Sequence, residues 1–149
     1  MMVSGEYRHS LDAKNRVSVP AKLREELGED FMIVRSVRGN CLRFYSASAW
    51  QEYIEPLKKL PRKVAEDTFW FLYRDAAQVT PDSLGRVLIP NGLLEFAGIT
   101  AKAEEGTNRT LMIVGCGDFG EIWSEENYEA RVSGIDVDAI RRALEESGL

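Results

Sequence analysis

The chain of 149 residues has one histidine and two cysteines, Cys41 and Cys116. One histidine excludes a multi-histidine metal site, and two cysteines without metal-ligand spacing are too few for a zinc cluster or a disulfide framework. We expect both thiols to be reduced and buried. No apolar run approaches the roughly 20 residues that a membrane-spanning helix needs, and no basic segment leads into an apolar one at the start. The expected compartment is therefore the cytoplasm. No nucleophile motif accompanies His9, so neither catalysis nor a cofactor is expected. Positive charge is also in deficit: 19 Lys and Arg face 24 Asp and Glu, for a net charge of −5. A uniformly basic nucleic-acid binder is thereby excluded.

With 44% hydrophobic and 29% charged residues, the chain has ordinary globular composition, far from the regime in which a chain stays disordered. Its charge is sorted along the sequence. Residues 1–24 carry Arg8, Lys14, Arg16, Lys22 and Arg24 against only Glu6 and Asp12, whereas residues 121–149 carry three basic and eight acidic side chains. One surface can thus face phosphate while another repels it. The same acidic tail also reads as a solvated helix.

An internal repeat appears when Asp12–Gly28 is laid on Asp82–Gly98. The matches are Asp12/Asp82, Arg16/Arg86, Val17/Val87, Pro20/Pro90, Leu23/Leu93, Glu25/Glu95 and Gly28/Gly98, far more than composition alone would produce. Each copy reads β-β-α-β-β-α. Two short strands flank a turn, as a hairpin or tight bend: Glu6–Leu11 with Arg16–Val19, then Ala76–Thr80 with Arg86–Ile89. Asn15 and Gly85 share a position where positive φ is expected. Pro20 and Pro90 are expected to start the next elements, short helices at Ala21–Leu27 and Asn91–Ala97 that stop at Gly28 and Gly98. Apolar hairpins follow, Phe31–Ser36 with Cys41–Tyr45 and Thr110–Gly115 with Glu121–Trp123. Helical spacing marks Ser48–Leu60, Arg62–Tyr73, Ser124–Val132 and Asp136–Glu146, with Ser48, Ser124 and Asp136 as N-caps.

The repeated motif is Asp-x-x-x-Arg-Val-x-x-Pro. Structurally, Asp12 and Asp82 cap the turn and pair with Arg16 and Arg86; functionally, the arginine projects from the turn towards phosphate or a base edge. Because structure explains what the copies share, function is sought where they differ. Around the motif, Arg8, His9, Lys14, Lys22 and Arg24 of copy one correspond to Gln78, Val79, Leu84, Gly92 and Leu94 of copy two. The candidate DNA-facing set is therefore Arg8, Lys14, Arg16, Lys22 and Arg24, with Arg86 mainly holding its own turn. Gly115–Gly120 fits a dinucleotide-binding pattern, but a strand returns where a helix would have to open, so we read a hairpin turn. Trp50, Trp70, Trp123, Phe69, Phe71 and Tyr73 read as core or subunit packing rather than a stacking platform for single strands.

Together, His9–Pro20, Asp82–Pro90 and Ile113–Trp123 resemble the MraZ family, a two-copy member of the AbrB-like superfamily, over nearly the whole chain. The resemblance implies an α+β, mainly β fold: a swapped-hairpin, double-split β-barrel with peripheral helices, its repeats at residues 1–60 and 76–149 joined by a helix at 61–75. It also implies a ring-shaped homo-oligomer, associated with the nucleoid, that binds double-stranded DNA at short direct repeats and represses a cell-wall and cell-division operon. Asn15 departs from the family's usual glycine, and Leu94 stands in place of a basic residue. Alternatives are an antitoxin-like module that binds an operator and a protein partner, and a purely structural ring.

Overall fold

The computed structural model describes residues 2–149. The first copy forms β1 (Glu6–Ser10), β2 (Arg16–Ser18), α1 (Ala21–Leu27), β3 (Phe31–Arg35), β4 (Leu42–Ser46) and α2 (Ala47–Leu57). After α3 (Arg62–Tyr73), the second copy forms β5 (Ala77–Val79), β6 (Arg86–Leu88), α4 (Asn91–Phe96), β7 (Thr110–Gly115), β8 (Gly120–Ser124) and α5 (Glu125–Ser133), followed by α6 (Val137–Glu146).

Local chemistry accounts for most of these boundaries. Pro20 and Pro90 sit just before the first helical residues, Ala21 and Asn91, as expected, with φ of −52° and −59°. There the fixed ring angle suits helix entry and no amide donor is lost. The cap of α2 is Ser46 rather than Ser48: its hydroxyl accepts from the Ala49 amide at 3.1 Å, so the helix starts earlier than its apolar spacing implied. Ser124 and Asp136 cap α5 and α6 as expected.

Hairpins β3–β4 and β7–β8 form as the sequence indicates, but β1–β2 and β5–β6 do not pair within a copy. Instead β1 pairs with β7, β5 with β3, and β2 with β6, all antiparallel. The result is an open six-stranded sheet, β1-β7-β8-β4-β3-β5, and a two-stranded ribbon, β2-β6. Exchanging the two copies turns this strand order into its own reverse, so the molecule has a pseudo-twofold centred on Val17 opposite Val87. No closed barrel is formed by the described strands.

Strand exchange merges the copies into one core. Val17, Leu23, Phe31 and Leu42 pack with Val87, Leu93, Leu111 and Ile122 in a single cluster. Each such side chain contributes about 1.5–3 kcal/mol through its burial. The opposite face of the sheet is covered by α2 and α3 through Val34, Tyr45, Trp50, Ile54 and Leu72. Arg35, only 5% exposed, pins α3: it donates to the Phe71 carbonyl at 3.2 Å, pairs with Asp75, and lies over the rings of Phe71 and Phe96. Of the cysteines, Cys41 is buried as expected and Cys116 is exposed, because it lies in the β7–β8 turn rather than on a covered strand face.

Candidate nucleic-acid interface

The ribbon β2-β6 has two faces because strand side chains alternate. Val17 and Val87 point into the core, while Arg16, Ser18, Arg86 and Leu88 lie on the outer face. Each strand is preceded by the Asp-x-x-x-Arg turn. In the first, the Asp12 carboxylate accepts from the Lys14 amide at 2.9 Å, the Arg16 amide at 2.8 Å and the Arg16 Nε at 2.7 Å. In the second, Asp82 accepts from the Leu84 amide at 2.9 Å, the Arg86 amide at 2.9 Å and the Arg86 Nε at 3.0 Å. The backbone closes both loops, from Asp12 N to the Arg16 carbonyl and from Asp82 N to the Arg86 carbonyl.

These contacts hold both carboxyls below their ordinary range. For Asp12, burial acts to raise the value but is outweighed by the Arg16 amide and guanidinium and the Lys14 amide. For Asp82, the Arg86 amide leads; partial desolvation opposes it, and the Leu84 amide and Arg86 guanidinium reinforce it. Each arginine is thereby aimed. Its Nε is occupied by its own aspartate and its position on the outer face is set; the terminal nitrogens of Arg16 can donate to a phosphate or base edge, while one of those of Arg86 also faces Asp12 at 3.9 Å.

The two turns also lock each other. Val19 N donates to the Gly85 carbonyl at 2.8 Å and Ile89 N to the Asn15 carbonyl at 2.9 Å, a reciprocal pair across the pseudo-twofold. Asn15 and Gly85 take the expected positive φ, 61° and 77°. In place of glycine, Asn15 adds side-chain contacts: its Nδ2 donates to Asn91 Oδ1 at 3.0 Å and its Oδ1 accepts from Arg109.

The structure separates the candidate basic set. Lys14 at the turn tip and Lys22 on α1 are exposed, and Arg16 and Arg86 have equal side-chain exposure, 29%. The turn geometry separates them in one respect: Arg16 pairs with Asp12 through Nε, whereas Arg86 pairs with Asp82 through Nε and also brings Nη1 to 3.9 Å from Oδ2 of Asp12 across the ribbon. Arg24 is committed internally: its Nε donates to the Val19 carbonyl at 3.0 Å, and its guanidinium covers Gly85, where an added Cβ would lie 2.8 Å from its Cζ. Arg8 stands further along β1, roughly 13 Å from Asp12 at strand spacing, and pairs with Glu125 of α5. Leu94, which takes the place of Arg24 in copy two, is fully buried in the core. Leu84, which takes the place of Lys14, is 69% exposed at its tip.

Sequence reasoning missed Arg109. Only 8% exposed, it donates to the Thr100 carbonyl at 3.2 Å, to the Asp12 carbonyl at 3.1 Å and to the Asn15 side chain. It thus steadies the first turn from beneath, as Arg24 steadies the second. An arginine just ahead of an apolar strand carries no periodic or motif signal, so nothing in the sequence singled it out.

Among the described residues no His, Cys, Asp or Glu cluster could hold a metal ion, and no helix is long and apolar enough to cross a membrane. The Gly115–Gly120 segment is a hairpin turn. At Gly120 a Cβ would fall 1.9 Å from the Phe44 ring, so close packing explains that glycine.

The sequence profile of the MraZ protein family, classed as antitoxin-like, matches residues 2–70 and 72–143. The chain belongs to the MraZ family. It is 38% identical over 151 residues to a protein of Clostridium acetobutylicum named "Transcriptional regulator MraZ", covering 99% of this chain and 100% of that one. It is 40% identical over 152 residues to a protein of the same name in Caldicellulosiruptor bescii, with the same coverage. The residues that align the chain with MraZ proteins include both Asp-x-x-x-Arg turns, which both lie within the matched segments.

Proposed function

We propose that the chain is a transcriptional regulator that binds double-stranded DNA through the outer face of β2-β6 and the two turns flanking it. The observation that carries this reading is the pair Arg16 and Arg86, both aimed outward on one ribbon by their own aspartates, with Nη1 of Arg86 also 3.9 Å from Oδ2 of Asp12 across the ribbon. The names of the relatives support it. Exposed Lys14 and Lys22 add phosphate contacts on the first-copy side; Arg24 acts by holding Gly85, and Arg8 contributes at the margin. Arg86 reads DNA less than Arg16 because its neighbours Leu84 and Gly92 are uncharged and its Nη1 also faces Asp12 at 3.9 Å. Binding to short direct repeats, repression of a cell-wall and cell-division operon, and a ring-shaped homo-oligomer belong to the same proposal. A ring multiplies one modest basic face through effective concentration. The exchanged strands favour reading the fold as the AbrB-like swapped-hairpin type, with repeats at 1–60 and 76–149 and a connecting helix at 61–75.

The test is the salt dependence of binding to DNA from upstream of the chain's own gene. Each lost phosphate contact flattens the plot of log affinity against log salt by about one unit. Lys14→Gln and Lys22→Gln should each flatten it so, and Arg16→Ala should abolish specific binding with the melting temperature near wild type. Normal binding by Arg16→Ala would overturn the site.

A further inference from the structure

The outer face of β2-β6 carries an apolar side chain that packing does not need. Leu88 is 55% exposed and lies directly opposite Arg16 in the register of the ribbon, so the two side chains stand on the same face. The other cross-strand pair on that face is Ser18 with Arg86. The pseudo-twofold centred on Val17 and Val87 exchanges Arg16 with Arg86 and Ser18 with Leu88. Ser18 is exposed as well. The duplicated fold thus supplies its own control: it accepts a hydroxyl at this place, and nothing in the packing asks for leucine.

A lone exposed leucine is ordinary on a protein surface. Leu88, however, sits where both guanidinium groups gather. Arg16 is held there by Asp12, and Arg86 leans across the ribbon to bring Nη1 3.9 Å from Oδ2 of the same aspartate. Ile89, the next residue after Leu88, donates its amide to the Asn15 carbonyl at 2.9 Å, so the backbone beside Leu88 is tied to the first turn. The major groove of DNA offers hydrogen-bonding base edges to arginine and a single apolar group, the C5 methyl of thymine. Directly opposite Cβ atoms of a ribbon lie about 5 Å apart, and successive bases of a strand about 3.4 Å apart. A leucine opposite Arg16 therefore reaches a methyl one or two base pairs from the edge that Arg16 contacts.

We propose that Leu88 is a specificity-determining residue that packs against a thymine methyl beside the base edge contacted by Arg16, while Ser18 makes no such contact beside Arg86. The two halves of a nearly symmetric ribbon then read different sequences. Each chain prefers an asymmetric site and binds it in one orientation, which is what direct rather than inverted repeats require. The inference rests on β2-β6 being the DNA face, as proposed above.

Two duplexes from upstream of the chain's own gene test it, one with thymine throughout and one with deoxyuridine in its place. The second lacks every C5 methyl and keeps the hydrogen-bonding edges. Burial of one methyl is worth about fourfold in affinity, so wild type should bind the uracil duplex about fourfold more weakly. Leu88→Ser, which copies Ser18 and should melt near wild type, should bind the thymine duplex about fourfold more weakly and lose nothing further on uracil. Replacing thymines one at a time should place the sensitive methyl on one side of the bases that Arg16 and Arg86 contact. In the swap of Ser18→Leu with Leu88→Ser it should move to the other side. Equal affinity of wild type for both duplexes, a Leu88→Ser that keeps the full loss on uracil, or a swap that leaves the sensitive methyl in place would overturn the role of Leu88 and leave the ribbon as the DNA face. No binding by wild type, or normal binding of the thymine duplex by Arg16→Ala, would overturn the DNA face itself and this inference with it.

Discussion

The turns Asp12–Arg16 and Asp82–Arg86 use the same carboxylate, the same three donors and the same backbone closure, yet they are steadied from different sides. The first has Asn15 at its left-handed position and rests on a buried arginine, Arg109, from the strand entry of the other copy. The second has Gly85 there and is covered by a half-exposed arginine, Arg24, also from the other copy. Duplicated local chemistry can therefore be held by unrelated tertiary supports. What differs between the copies is the surrounding charge and the burial of the support, and each can be tested separately.

The strongest break in the comparison is Arg109→Met. Three carbonyl or amide oxygens would lose a donor in a buried site, at about 3 kcal/mol, which in a domain of this size lowers the melting temperature by roughly 6–12 °C. DNA affinity should fall with it while the salt slope stays unchanged, because Arg109 reaches no phosphate. An unchanged melting curve would remove Arg109 from its supporting role.

Next in size is Gly85→Ala set against Asn15→Gly. Alanine at φ 77° is strained and its Cβ would crowd the Arg24 guanidinium, so we expect a cost of about 1–2 kcal/mol. Asn15→Gly relieves the backbone but loses the contacts to Asn91 and Arg109, for a net loss of about 1 kcal/mol or less. Denaturant titration of both variants checks the order. If Asn15→Gly proves the more damaging, its side chain matters more than its conformation.

The smallest effect is on acid stability. Both aspartates have folded values below their unfolded value near 3.9, so the stability they contribute is fully present above that value and lost as pH falls through the folded one. Asp12→Asn and Asp82→Asn should each flatten the decline in stability below about pH 4. A decline that stays as steep in either variant, measured by melting between about pH 5 and pH 3, would remove that carboxylate from its stabilising role.

Much of this was legible beforehand for a reason common to all of it: turns, caps and hairpins rest on contacts a few residues apart. Asp12 and Arg16, Ser124 and Asn127, or Phe31–Arg35 beside Leu42–Ser46 are neighbours in sequence before they are neighbours in space. Of the hairpin or tight bend expected between β1 and β2, the bend formed, closed from Asp12 N to the Arg16 carbonyl. The strands joined β7 and β6 because neither strand's alternation says which edge it will join. Trp70, expected in core or subunit packing, is exposed in the single chain and so lies outside the core; its helical spacing is the same whether the covering surface comes from its own chain or from another.

By itself the sequence determined the duplication, the two Asp-locked arginines, the left-handed positions at Asn15 and Gly85, and the concentration of positive charge in the first copy. Those follow from residue type and short-range spacing. Only the tertiary structure decided that the copies exchange strands into one core and that both arginines face outward on one ribbon. It alone made Arg24 and Arg109 braces for turns distant in sequence, and it left Leu88 exposed beside Arg16. Such outcomes depend on which of several compatible surfaces bury one another, and burial is a property of the packed whole, with no local signature in the chain.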